Sequence, residues 1–216
     1  MNLTRRNRTC LSFLEDISAV SDACDTVSYI WGGLPVDVLE GRFLREHHDI
    51  DGFTLDLKDK RGDLEESYRC RDYDTRYMDE WDILVIEKSG LQASFNRLEI
   101  DRDTAMWRHI GDAGALFFPR EWLPEAPLEF CGVKVYISGI QFEYAIKTSP
   151  WILGPEWTGR EKDRQAAEYL ARKLAEAGIS ADDVLSRVWS YNPFWVRKGY
   201  SEYAMPAVAS PLSPLP

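Results

Sequence analysis

The stretch Gly32-Gly-Leu-Pro-Val-Asp-Val-Leu-Glu-Gly-Arg-Phe-Leu-Arg-Glu-His-His-Asp-Ile-Asp51 sets a glycine pair ahead of two aspartates that are one residue apart. Before it, Val27-Ser-Tyr-Ile-Trp31 is a short apolar run of β type; at its end begins a second, Asp49-Ile-Asp-Gly-Phe-Thr-Leu-Asp-Leu57. Pro35 fits the first turn of a helix and Gly41 its end. The order predicted is therefore strand 27–31, tight glycine turn, helix 35–41 and strand 50–57. Residues i and i+2 of a strand share a face, so Asp49 and Asp51 converge on one spot. Such a pair is unfavourable unless a cation lies between the side chains or one carboxylate is protonated, and hard divalent ions such as Mg2+ take oxygen ligands of this kind. Glycines in the turn let backbone N–H groups approach a phosphate beside the favourable end of a helix dipole. The segment reads as a phosphate-handling metal site; a solvated strand end is the plain alternative for Asp-x-Asp.

Outward from this segment, Leu11, Leu14, Ile17 and Val20 recur every three residues, which predicts an amphipathic helix near 9–25 with Thr9 as N-cap. A charged helix is expected near 60–70 and strands near 83–88 and 94–101, after which strand-like stretches recur. Val133-Lys-Val-Tyr-Ile137 is a further strand and Gly139 to Lys147 a helix. Arg160 to Ala177 forms a helix ended by Gly178, and Ser180 caps a last helix to about Val188. The segment 205–216 is proline-rich, carries no charged side chain and reads as disordered. Most of the eight tryptophans, among them Trp107, Trp122, Trp151 and Trp157, are assigned to packing.

The segment from Trp31 to Asp51 resembles the nucleotidyltransferase superfamily, especially the aminoglycoside and lincosamide nucleotidyltransferases. The matching residues are Gly32, Gly33, Asp37, Gly41, Arg45, His47, Asp49 and Asp51. The resemblance implies an α/β (α+β) fold, a mixed sheet flanked by helices, with a nucleotidyltransferase-like core over 1–138 and a helical acceptor-side region over 139–204. It also implies Mg2+-dependent transfer of a nucleoside monophosphate, AMP from ATP, to a hydroxyl of a small molecule, with release of pyrophosphate. In that reading Asp49 and Asp51 hold the metal, Gly32 and Gly33 seat the phosphates, and Arg45 or His47 stands near the phosphates or organises the metal strand.

Enzymes of this kind need a third carboxylate on a neighbouring strand, as metal ligand or as base. In Ser94-Phe-Asn-Arg-Leu-Glu-Ile-Asp101 the acids Glu99 and Asp101 share one face; Glu99, flanked by apolar residues, matches the pattern better, and Asp101 is the alternative. Glu143 and Lys147 also match the family's later helices. Their i,i+4 spacing stabilises any helix, and Lys147 is alternatively a point charge for the nucleotide's phosphates. The Arg160 to Arg164 run reads as a solvated helix start with Asp163 near the favourable end of the dipole.

The remaining composition narrows the class. Cys10, Cys24, Cys70 and Cys131 contain no Cys-x-x-Cys pair, and neither His47 nor His48 has a partner at zinc spacing. Isolated cysteines, a start without a signal-peptide core and the lack of any stretch of about 18 apolar residues suggest a soluble cytoplasmic protein. A net charge of −10 disfavours a nucleic-acid acceptor and suits a cationic one such as an aminoglycoside. Two other classes are weighed: a non-catalytic nucleotide-binding or toxin–antitoxin-type member acting with a protein partner, and an interaction module whose acidic face is merely solvated.

Overall fold

The computed structural model describes residues 3–110, 114–149 and 160–191. Trp151, Trp157 and the proline-rich segment 205–216 lie outside the described residues. Helix α1 (Arg5–Ala23) starts earlier than the sequence pattern suggests: Thr4, not Thr9, is its N-cap, and the Thr4 hydroxyl accepts the Asn7 N–H at 3.2 Å. The run Arg5-Arg-Asn-Arg8 contains good helix formers and needs only that cap to join the helix. Thr9 then lies inside it and donates to the Arg5 carbonyl.

Strand β1 (Ser28–Trp31), the six-residue helix α2 (Leu34–Leu39), strand β2 (Asp49–Leu55) and helix α3 (Leu57–Arg69) follow in the expected order. Next come β3 (Asp74–Met78), β4 (Ile83–Lys88), β5 (Leu91–Asp101), β6 (Thr104–Ile110) and β7 (Gly114–Pro119). The chain continues through β8 (Leu128–Phe130), β9 (Val133–Ile137), α4 (Ile140–Thr148), α5 (Glu161–Glu176), α6 (Ala181–Ser186) and β10 (Trp189–Tyr191). Of these, β3 gave little signal because Asp74-Thr-Arg-Tyr-Met78 is a half-exposed hairpin strand without an apolar face. The start of β5 at Leu91, three residues before the expected boundary, bears directly on the site.

The strands form one mixed sheet in the order β10-β7-β6-β5-β2-β1-β9-β8. Strand β1 pairs antiparallel with β2 and parallel with β9, and β2 pairs parallel with β5. On its other edge β5 carries β4 along its first half and β6 along its last. Both faces of the sheet are covered. Ile30, Ile50, Ala93 and Phe95 pack with Leu14, Val38 and Leu64 of α1, α2 and α3; Tyr29, Phe53, Leu98 and Trp107 pack with Phe142, Leu174 and Val184 of α4, α5 and α6. Each such side chain contributes roughly 1.5–3 kcal/mol when fully buried. Alternation along β2 therefore fixes the site: Ile50 faces α1, while Asp49, Asp51 and Phe53 face the α4 side. Gly52 is required between them, since a Cβ there would lie 2.7 Å from the Phe95 ring.

No helix among the described residues is long and apolar enough to cross a membrane. All four cysteines are free, Cys10 and Cys24 buried and Cys70 and Cys131 exposed.

Candidate active site

The two aspartates stand at the N-terminal end of β2, Asp49 exposed and Asp51 half-buried. Asp51 is in register with Trp31, the last residue of β1, so the glycine turn leaves its strand directly beside the carboxylates. Gly32 has φ +90°, and a Cβ there would sit 3.1 Å from Asp51 Oδ2. At Gly33 a Cβ would come within 2.1 Å of the Arg45 guanidinium, which lies across the turn. Gly32 is set by its left-handed backbone, whereas Gly33 is right-handed and meets only the end of the flexible Arg45 side chain.

The backbone N–H of Gly32 is not free for a phosphate. It donates to Glu143 Oε1 at 3.0 Å, and the Ser138 hydroxyl donates to the same oxygen. Glu143 is fully buried, and its Oε2 has no hydrogen-bond partner. Burial pushes its carboxyl up to about 7 against the opposing pull of Lys147, Ser138 and Gly32. Glu143 therefore does not pair with Lys147 along the helix. With α2 only six residues long and the Gly32 amide engaged, the polar groups beside the turn come mainly from side chains.

Those side chains line a cleft of about 620 Å³ that opens over Asp49, Asp51, Gly32 and Gly33. Arg45 and Lys147 border it, and Arg160 and Lys162 join them from the start of α5. Lys147 lies 3.4 Å from Asp163 Oδ1 and Arg160 Nε lies 2.7 Å from Asp163 Oδ2. Asp163 is 7% exposed, so the start of α5 is not simply solvated. Burial opposes ionisation of Asp163, yet the Arg160 hydrogen bonds and Lys147 hold its carboxyl below the usual range. Lys162 is lowered by burial and by Arg160 and Arg45. Asp51 rises to about 6, first through burial and then through Asp49, with Lys147 and the Ser94 hydroxyl opposing the shift. The cleft thus holds a carboxylate pair together with Arg45, Lys147, Arg160 and Lys162, whose charge only partly offsets the burial of Asp51. Hard oxygen donors at this spacing fit a divalent cation whose other ligands are phosphate oxygens. Among the described residues there is no group of three or more acidic, histidine or cysteine side chains that could hold a metal ion.

His47 is buried, with Nε2 2.8 Å from Asp37 Oδ2, and the same carboxylate oxygen accepts the Leu44 N–H. The pair ties the loop after α2 to the helix itself. Arg6 of α1 adds a hydrogen bond to the His47 carbonyl. His47 also lines the cleft, and its loop carries Arg45 over Gly33.

Glu99 and Asp101 are not brought to the pair. Asp51 is in register with Ser94 of β5, so Glu99 stands five residues farther along and on the opposite face of the sheet. There Glu99 lies 3.2 Å from Arg97 and 2.9 Å from Arg108, and Arg97 contacts Asp82 at 2.9 Å. Asp101 is exposed at the strand's end. Residue 94 is what faces Asp51 on the neighbouring strand, its hydroxyl 3.4 Å from Asp51 Oδ1. The signal for it lay in Leu91-Gln-Ala-Ser-Phe-Asn96, whose alternation puts Gln92, Ser94 and Asn96 on one face.

Fold and cleft together define a class: a nucleotidyltransferase-like fold with its acidic pair on the strand after a glycine turn. Residues 13–79 match the family model described as aminoglycoside-2''-adenylyltransferase, a segment that contains Gly32 through Asp51. Three solved structures share the fold. The solution structure of the antibiotic-resistance factor ANT(2'')-Ia is 20% identical, with a TM-score of 0.57 over 78% of this chain and 86% of that one. The crystal structure of ANT(2'')-Ia in complex with adenylyl-2''-tobramycin is 21% identical, with a TM-score of 0.55 over 82% and 92% of the two chains. The lincosamide antibiotic adenylyltransferase LnuA, lincomycin-bound, is 16% identical, with a TM-score of 0.53 over 79% and 98%. No curated protein matches the chain by sequence. The chain therefore resembles the aminoglycoside and lincosamide enzymes among the nucleotidyltransferases.

Proposed function

We propose that the cleft binds a nucleoside triphosphate, ATP by the resemblance, and transfers its nucleoside monophosphate to a hydroxyl of a small molecule, releasing pyrophosphate. The observation that carries this reading is the Asp49–Asp51 pair beside the glycine turn, facing Arg45, Lys147, Arg160 and Lys162 across one cleft. Asp49 and Asp51 would hold a divalent cation, Mg2+ in the usual case, which supplies charge neutralisation at the phosphates and the leaving group. The four cations offset the remaining phosphate charge, and Asp163 holds Lys147 and Arg160 at the cleft wall. Glu143, through Gly32, keeps the turn in the shape that admits Arg45.

An acceptor would enter from the side of α4 and α5, within the region 139–204. The acidic balance of the chain favours a cationic acceptor, and the tobramycin and lincomycin complexes of the two similar proteins make antibiotic hydroxyls the first to test. Modification of such a compound would amount to antibiotic resistance.

Ser94 favours one second reading: a protein that binds nucleotide without efficient transfer, acting with a protein partner in the manner of a toxin–antitoxin pair. Titrating ATP, GTP, CTP and UTP with and without Mg2+ into wild type and Asp51→Asn, with pyrophosphate release measured alongside, separates the two. Metal-dependent binding with acceptor-dependent pyrophosphate release supports transfer. Binding without release supports the second reading, and no nucleotide binding by wild type sinks both.

A further inference from the structure

We infer that Ser94 occupies the position from which a neighbouring-strand carboxylate would complete the cation site. This chain would then hold its divalent cation through two carboxylates and offer no strand-borne base to the acceptor. The inference rests on the reading of Asp49 and Asp51 as cation ligands.

The geometry is that of a parallel ladder. Asp49 and Asp51 of β2 lie beside Gln92 and Ser94 of β5, on one face of the sheet. Residue 94 is the nearest to the pair, with its hydroxyl 3.4 Å from Asp51 Oδ1. Gln92 and Asn96, two residues to either side on that face, are also neutral. The nearest β5 acid, Glu99, is about 17 Å farther along the strand, points to the other face and is held by Arg97 and Arg108. The other acids around the cleft are already engaged: Asp37 by His47, Asp163 by Lys147 and Arg160, and Glu143 by Gly32 and Ser138.

Two consequences follow. A cation held by two carboxylates needs phosphate oxygens to fill its shell, so cation and nucleotide bind together and the cation alone binds weakly. In transfer, the acceptor oxygen bonds to the α-phosphorus, the bond from that phosphorus to pyrophosphate breaks, and the acceptor proton passes to solvent rather than to a carboxylate on β5. Transfer is then slow relative to binding.

The test is calorimetric titration of Mn2+, alone and with ATP, into wild type, Ser94→Asp, Ser94→Ala, Glu99→Gln and Asp51→Asn, with melting temperatures recorded in parallel. Installing a carboxylate at position 94 is expected to tighten Mn2+ binding without nucleotide about tenfold or more, and to give a melting temperature that depends more steeply on Mn2+ than wild type's. Glu99→Gln, on the other face of the sheet, should leave cation binding unchanged, and Ser94→Ala should not tighten it. The inference is overturned if Ser94→Asp folds and binds Mn2+ no better than wild type, or if Glu99→Gln weakens binding. If Asp51→Asn binds Mn2+–ATP as wild type does, the fault lies instead with the underlying reading of the cleft.

Discussion

The carboxylate of Glu143 accepts the backbone N–H of Gly32 at 3.0 Å, joining the glycine turn to helix α4 across 111 positions of sequence. Removing that acceptor leaves a buried N–H and the Ser138 hydroxyl unpaired. Glu143→Ala is expected to cost about 1–3 kcal/mol of stability and to weaken nucleotide binding, whereas Glu143→Gln, which keeps an acceptor oxygen of the same reach, should bind nucleotide nearly as wild type does. Urea unfolding and calorimetry on both variants check this. Equal loss of nucleotide binding in both would show that the negative charge matters rather than the acceptor.

Stability should fall with rising pH in metal-free protein. The folded carboxyls of Asp51 and Glu143 are raised from 3.8 and 4.5 to about 6 and about 7, in each case chiefly by burial. A carboxyl raised on folding stabilises the fold while protonated. Its contribution is complete below the unfolded value and is lost as pH rises through the folded one. At about 1.36 kcal/mol per pH unit the two rises correspond to roughly 3 kcal/mol apiece, so several kcal/mol should disappear between about pH 4 and pH 8. Asp51→Asn should remove part of that slope, leaving the variant more stable than wild type at pH 8 without metal. Unfolding curves across the pH series decide it, and a wild type more stable at pH 8 than at pH 5 would count against raised carboxyls at Asp51 and Glu143.

Phe53 lies two residues beyond Asp51 on the same face of β2, in ring contact with Tyr29, Trp107, Phe118 and Phe142. It has no exposed surface. Phe53→Ala should cost about 3–5 kcal/mol, while Phe53→Leu should cost less and keep nucleotide binding. Thermal unfolding and nucleotide titration of the two variants measure the difference.

Asp37→Ala strips the acceptor from both His47 and the Leu44 N–H inside the protein. The expected cost is about 2–4 kcal/mol. Because the loop they anchor carries Arg45 across Gly33, nucleotide affinity should fall as well. Denaturant titration at neutral pH with parallel ATP binding tests the coupling, and a destabilised variant with unchanged affinity would separate the anchor from the phosphate site.

Local pattern and spacing were enough to place the strand, glycine turn, short helix and acidic strand, because each depends on residues within a few positions: Pro35, Gly41 and the alternation from Asp49 onward. Gly32, Gly33, Asp49 and Asp51 could be singled out on the same grounds, and Lys147 only through the resemblance of its helix to the family's later helices. The third-acid position could not, because it depends on which residue of β5 lies beside Asp51. Beginning β5 at Leu91 and pairing it parallel to β2 places Ser94 there and carries Glu99 to the other face, into contact with Arg97 and Arg108. The partners of Glu143 and Asp163 were hidden for a related reason. Hydrogen bonds and ion pairs between elements far apart in sequence form only when the sheet and its covering helices are packed, and burial then decides which carboxyls are raised and which stay charged. The sequence by itself determined the elements and the chemical types at the cleft; the tertiary structure decided which of them meet, because register and facing are properties of the paired strands and not of any one of them.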